Sequence, residues 1–206
     1  MIADFNCRFC QIAAVQRHAG DIDKPILESD DYIAIASIGA FIEGWCLVIP
    51  KKHKLTLAHD YRNQAFLEFA SQVSERVSRR YGNTIFFEHG PITTGSAMGC
   101  GINHAHLHIV PFKESISETI LNGELIWSEI PVSAIEDKTA LKDYLLYSDD
   151  LLSSEPIVLL STPHKPISQY FRMVLAEKTG FMETANYRAH SHMDISIETH
   201  KQLALA

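Results

Sequence analysis

Between His104 and Ile109 histidine alternates strictly with alanine, leucine and isoleucine, and Val110 and Pro111 follow. A period of two is that of a strand, which sets His104, His106 and His108 on one face and Ala105, Leu107 and Ile109 on the other. A helix would align only His104 with His108. Successive imidazoles on such a strand stand roughly 7 Å apart.

Upstream, residues 25–28 and 32–36 read as short strands joined by a turn at Asp30 and Asp31. Residues 45–50 are more continuously apolar and so predict a central strand. Phe66, Phe69, Ala70, Val73 and Val77 keep the three-four spacing of a buried stripe, on a helix running from a cap at Asp60 to about Tyr81. Arg79 and Arg80 suit its last turn. Residues 84–88 form another strand, and a loop holding Gly90, Gly95, Gly99 and Gly101 leads into the histidine strand. A short helix over residues 11–19 stops at Gly20.

This order predicts an α+β fold, an antiparallel sheet with one long helix packed across it. Beyond Phe112 the pattern weakens. Strands are expected at 125–130 and 157–161, and Ile167, Tyr170, Phe171, Val174 and Leu175 mark a helix ending at Gly180. Loss of motif density divides the chain into a core domain over 1–112 and a C-terminal α/β extension over 113–206.

With 206 residues, 46% of them hydrophobic, the chain can bury an ordinary core. A formal charge of −7 argues against a nucleic-acid polymer or an anionic membrane as partner. A small phosphorylated ligand stays open, because histidines, helix ends and backbone amides can build a local anion site. The first seven residues show no basic-then-apolar leader and no apolar run nears the ~20 residues of a membrane span, so a cytoplasmic protein is expected. Four cysteines in a chain this long make no disulfide framework, and Cys7-x-x-Cys10 points to metal or redox chemistry.

Three imidazoles on one strand face can serve as nucleophile, acid or metal ligand; the bland alternative is a polar outer face. The run from His104 to Val110 resembles the His-φ-His-φ-His-φ-φ signature of histidine triad (HIT) nucleotide hydrolases and transferases. Cys7-x-x-Cys10 around Phe9, Leu47-Val-Ile-Pro50-Lys-Lys-His53 and the Gly-rich loop appear in that family's order, and the resemblance covers residues 5–112. It implies a nucleotide-binding fold acting at the α-phosphorus, with His106 as the nucleophile forming a nucleotidyl-histidine. His108 would contact the phosphate and assist proton movement. Histidine at that third position resembles the hydrolases, acting on a nucleoside phosphoramidate or dinucleoside polyphosphate, with nucleotidyl transfer as the alternative.

The resemblance also implies a structural zinc on Cys7, Cys10, His53 and His104, a closed four-ligand set. Related proteins are often dimers, so a homodimer is admitted. Substrate contacts fall on the loop residues Gly99, Gly101, Ile102 and Asn103, whose backbone amides can meet phosphoryl oxygens. Ser37 stands where relatives carry a ribose-binding aspartate, and Trp45 where many carry histidine; Trp45 either stacks on a base or packs in the core. The segment from Ser168 to Arg172 resembles longer triad proteins with an extension, making Arg172, Lys165 and Arg188 candidates for distal phosphate contacts. Two readings compete: a hydrolase with its metal on the three histidines, and a nucleotide-binding module without turnover.

Overall fold

The computed structural model describes residues 7–14, 21–99 and 101–205. Eight strands form one sheet: β1 (Leu27–Glu28), β2 (Tyr32–Ala36), β3 (Cys46–Pro50), β4 (Thr84–Gly90), β5 (Leu107–Pro111), β6 (Ser128–Pro131), β7 (Tyr144–Ser148) and β8 (Ile157–Ser161). Their spatial order is β1-β2-β3-β5-β4-β7-β8-β6, with every neighbouring pair antiparallel. The helices are α1 (Arg8–Ala14), α2 (Gln64–Tyr81), α3 (Ser117–Leu121), α4 (Ile135–Thr139), α5 (Tyr170–Thr179) and α6 (Met193–Ala204).

The long helix α2 lies on one face, its Phe66, Phe69, Val73 and Val77 packed with Val48, Leu107 and Ile109. The opposite face carries Ile33, Leu47, Ile85, Phe87 and Val110, covered by Phe9 of α1 and Phe171 and Leu175 of α5. Alternation along each strand therefore feeds two cores, and the sheet is buried on both sides.

Several boundaries differ from those expected. The helix begins at Gln64, where the Asn63 side chain accepts from Ala65 N at 3.0 Å. Asp60 sits in a preceding 3-10 turn, its carboxylate already engaged by Tyr32 Oη and Lys54 Nζ, each at 2.7 Å. The histidine strand pairs only from Leu107, since Ala105 N donates outside the sheet to Lys54 O at 2.7 Å. The helix expected at 11–19 starts at Arg8; its continuation past Ala14, with Gly20, lies outside the described residues.

The larger difference concerns the extension. Strand β7 pairs along β4 from Phe86↔Ser148 to Gly90↔Tyr144, so the sheet runs on without a break across residue 113. This pairing carries β4 through His89 and Gly90, beyond the expected end at residue 88. Gly90 is required there: a Cβ would come within 2.2 Å of the Tyr144 ring. Strand β7, Tyr144-Leu-Leu-Tyr-Ser148, escaped the pattern because its apolar and polar positions do not alternate. The expected strand at 125–130 forms later, at Ser128–Pro131, and α3, α4 and α6 were not anticipated.

Candidate functional site

Between the second sheet face, α1 and α5 lies a cleft of about 210 Å³, partly open to solvent. Trp45, Leu47 and Phe87 line it together with His106 and His108. Helix α1 contributes Arg8 and Phe9, and the extension contributes Gln169, Arg172 and Tyr187. Among the described lining residues the formal charges are two arginines and no carboxylate; Arg8 is ion-paired with Asp23 at 2.5 Å, and Arg172 faces no carboxylate in the lining.

Hydrogen bonds fix the proton on each triad ring. His106 Nδ1 lies 2.8 Å from the His104 carbonyl oxygen, an acceptor only, so Nδ1 carries the hydrogen and Nε2 keeps its lone pair. Trp45 Nε1–H, a donor only, reaches His108 Nδ1 at 2.9 Å; that ring therefore holds its hydrogen on Nε2. His104 donates from Nε2 to Pro50 O at 2.8 Å, leaving Nδ1 unprotonated. Burial pushes all three rings towards the neutral form, His104 to about 4, His106 below its usual value and His108 well below. The cleft thus presents one imidazole lone pair beside one imidazole N–H, with ring centroids 4.8 Å apart.

The unprotonated Nδ1 of His104 belongs to a second cluster. It lies 3.3 Å from Cys7 Sγ and 3.5 Å from Cys10 Sγ, and His53 Nδ1 lies 3.1 Å from Cys10 Sγ. The ligand atoms of Cys7, Cys10, His53 and His104 all fall within 4.8 Å of one another, a set that could hold a metal ion. Residues 97 positions apart converge here because α1 packs its Phe9 edge-on against both His104 and His106.

Of the other residues singled out in the sequence, Ser37, Gly99, Ile102 and Arg172 line the cleft. Gly101 and Asn103 do not. Asn103 braces the loop, its Oδ1 accepting from Gly95 N at 2.8 Å, and Gly101 (φ +90°) runs beside Tyr187 and Arg188. The Gly99 and Ile102 amides are taken up by Ser96 O and Gly99 O in turns, at 3.2 and 3.0 Å. Cys100 lies outside the described residues.

Arg172 is buried, donating to Gly39 O, with its guanidinium 4.6 Å from the Trp45 ring centre. Lys165 and Arg188 are exposed and outside the lining. Trp45 is fully buried against Phe41, Phe87 and His108, which makes it a packed ring with its N–H committed rather than a platform for a base. Cys46 is an inert core thiol, pushed up to about 12 by burial.

The lining residues given no role from the sequence are Arg8, Ile38, His89, Gln169 and Tyr187. Only His89 had a readable signal, lying in phase with Ile85 and Phe87 on the same strand.

Comparison with known proteins places a HIT domain over residues 21–115. Two uncharacterized HIT-like proteins of Mycobacterium tuberculosis, from strains CDC 1551 / Oshkosh and H37Rv, are each 29% identical over 122 residues, covering 58% of this chain and 81% of the relative. Among solved structures, a HIT-like protein from Bartonella henselae, described as involved in cell-cycle regulation, gives a TM-score of 0.37 at 23% identity, over 45% of this chain and 71% of that one. A histidine triad protein from Clostridium difficile gives 0.36 at 22% identity, over 54% of this chain and 94% of that one.

Proposed function

We propose that this chain, whose residues 21–115 match the HIT domain, hydrolyses a nucleotide at its α-phosphorus through a covalent intermediate on His106. The observation that carries this is the His106–His104 hydrogen bond, which leaves Nε2 unprotonated in a cleft that Arg172 also lines. That nitrogen attacks phosphorus with its lone pair. A P–N bond forms, the bond to the leaving group breaks, and the leaving group departs with the electron pair. Water then displaces the imidazole, which recovers its lone pair, and a proton is released to solvent. Splitting one displacement into two lowers each barrier.

His108 acts in this scheme by donating its Nε2–H to a phosphoryl oxygen as charge develops there. It does not pass that proton on: with Nδ1 held as acceptor by Trp45, losing the Nε2 hydrogen would leave an imidazolate. This favours leaving groups that depart as stable anions. The reading therefore inclines to dinucleoside polyphosphates, whose phosphate leaving group needs no proton, over phosphoramidates, whose amine does.

Cys7, Cys10, His53 and His104 fit a zinc ion by donor type and mutual distance. The ion would supply folding free energy and tie α1 to the triad. The rival metal-dependent hydrolysis finds less support, because His108 keeps its hydrogen on Nε2 and His104 turns Nδ1 to the cysteines, leaving His106 as the one triad ring with a lone pair in the cleft.

The test is intact-mass analysis of protein mixed with a dinucleoside polyphosphate. A nucleotidyl adduct on His106 is expected, and His106→Ala should lose turnover by at least about 10³-fold with its melting temperature retained. An adduct on another residue, or substantial activity in the variant, overturns the assignment.

A further inference from the structure

His89 lies in the cleft without a job in this scheme. It is 5% exposed, both its ring nitrogens are closed off from solvent, and among the described residues neither has a hydrogen-bond partner. Phe87 pairs with His108 across β4 and β5, and continuing that register two residues sets His89 beside His106. Its ring centre is 6.2 Å from that of His108 and 5.2 Å from Phe171. Folded proteins seldom leave a buried polar side chain unpaired, because each missing bond costs roughly 1–3 kcal/mol. Packing does not explain it. Ile85 and Phe87 occupy the same face of β4, and His89 is ringed by Phe87, Phe171 and His108. A phenylalanine would suit those neighbours and leave nothing unsatisfied.

We propose that His89 is a substrate-binding residue, whose ring turns to offer its N–H to a phosphoryl oxygen of the nucleotide held beside His106. The inference rests on the nucleotide reading above. Burial, with His106 and Arg172 nearby, holds this imidazole neutral at about 3, so it binds as a dipole with one N–H rather than as a cation. Phosphoryl oxygens are acceptors only and match that donor. The bond lost in the free protein is then recovered when the cleft is filled, which gives His89 a larger effect on binding than on folding.

Wild type, His89→Phe and His89→Asn are titrated calorimetrically with AMP and melted in its absence. His89→Phe should melt at or above wild type yet bind AMP roughly tenfold or more weakly. His89→Asn, which keeps an N–H, should recover part of the loss. Where the phenylalanine ring is not accommodated, His89→Ala gives the same binding readout. AMP affinity within twofold of wild type in the phenylalanine or alanine variant overturns the proposal alone, and would mean that His89 is paired by a trapped water only. Absence of both AMP binding and the His106 adduct in wild type overturns the nucleotide reading and this inference together.

Discussion

The indole of Trp45 does more for the proposed chemistry than its apolar bulk suggests. Its N–H decides which nitrogen of His108 is protonated, and so what kind of help His108 can give. Trp45→Phe keeps a ring in the core but frees His108 Nδ1 to take up a proton, allowing the Nε2 hydrogen to be transferred. The ratio of phosphoramidate to dinucleoside polyphosphate turnover should then rise by roughly tenfold or more; competing the two substrates measures it, and an unchanged ratio refutes the constraint. At this scale the sequence was readable where the residue type limits its chemistry. Cys7, Cys10, His53 and His104 come together as the motifs implied. The tautomers were not readable, since they depend on the His104 carbonyl and the Trp45 edge, which only folding brings into place.

At the level of elements, α1 is the piece most dependent on the Cys/His cluster. Its seven described residues cannot hold a helix by themselves; its anchors are Phe9 against the triad and Cys10 beside His53. Cys10→Ser should abolish stoichiometric zinc in elemental analysis and cost about 3 kcal/mol, or roughly 6–12 °C of melting temperature for a chain of this size. Wild type free of metal, with a mutant of equal stability, would remove the zinc site. Strand β4 depends likewise on β7. A fragment ending at residue 112 loses that pairing, and also Phe171, whose ring centre lies 4.8 Å from Phe87. Size-exclusion chromatography should find the fragment aggregated and unable to bind AMP; a folded monomer that binds would refute this dependence. The strands legible from sequence were those with alternation or strong flanking turns, β2 and β8 above all. The β7 segment, Tyr144-Leu-Leu-Tyr-Ser148, has no alternation, and only Asp149 and Asp150 after it mark a turn.

Across the whole molecule, burial of neutral imidazoles sets the pH response. His89, His106 and His108 all have folded values below the ordinary 6.5, so below that pH the unfolded chain binds more protons. Their contribution is complete above pH 6.5 and fades as pH falls, by up to about 1.4 kcal/mol per pH unit for each ring. Glu88 works in the opposite sense. Burial raises it from 4.5 to about 7 despite bonds from Tyr61, Tyr144 and Leu57, so its contribution is complete below pH 4.5 and fades as pH rises through 7. Three rings outweigh one carboxyl, and the urea midpoint should fall between pH 6.5 and 5, less steeply in His89→Phe; a flat midpoint would refute the balance. The extension also governs how the sheet meets its surroundings. Because β7 from the same chain occupies the long flank of β4, the ladder ends at β1, two residues long, and at β6, four residues long and closed by Pro131. Neither rim offers a template on which another polypeptide could readily lengthen the ladder, so a molecule built around so apolar a sheet carries its own guard against strand-by-strand aggregation.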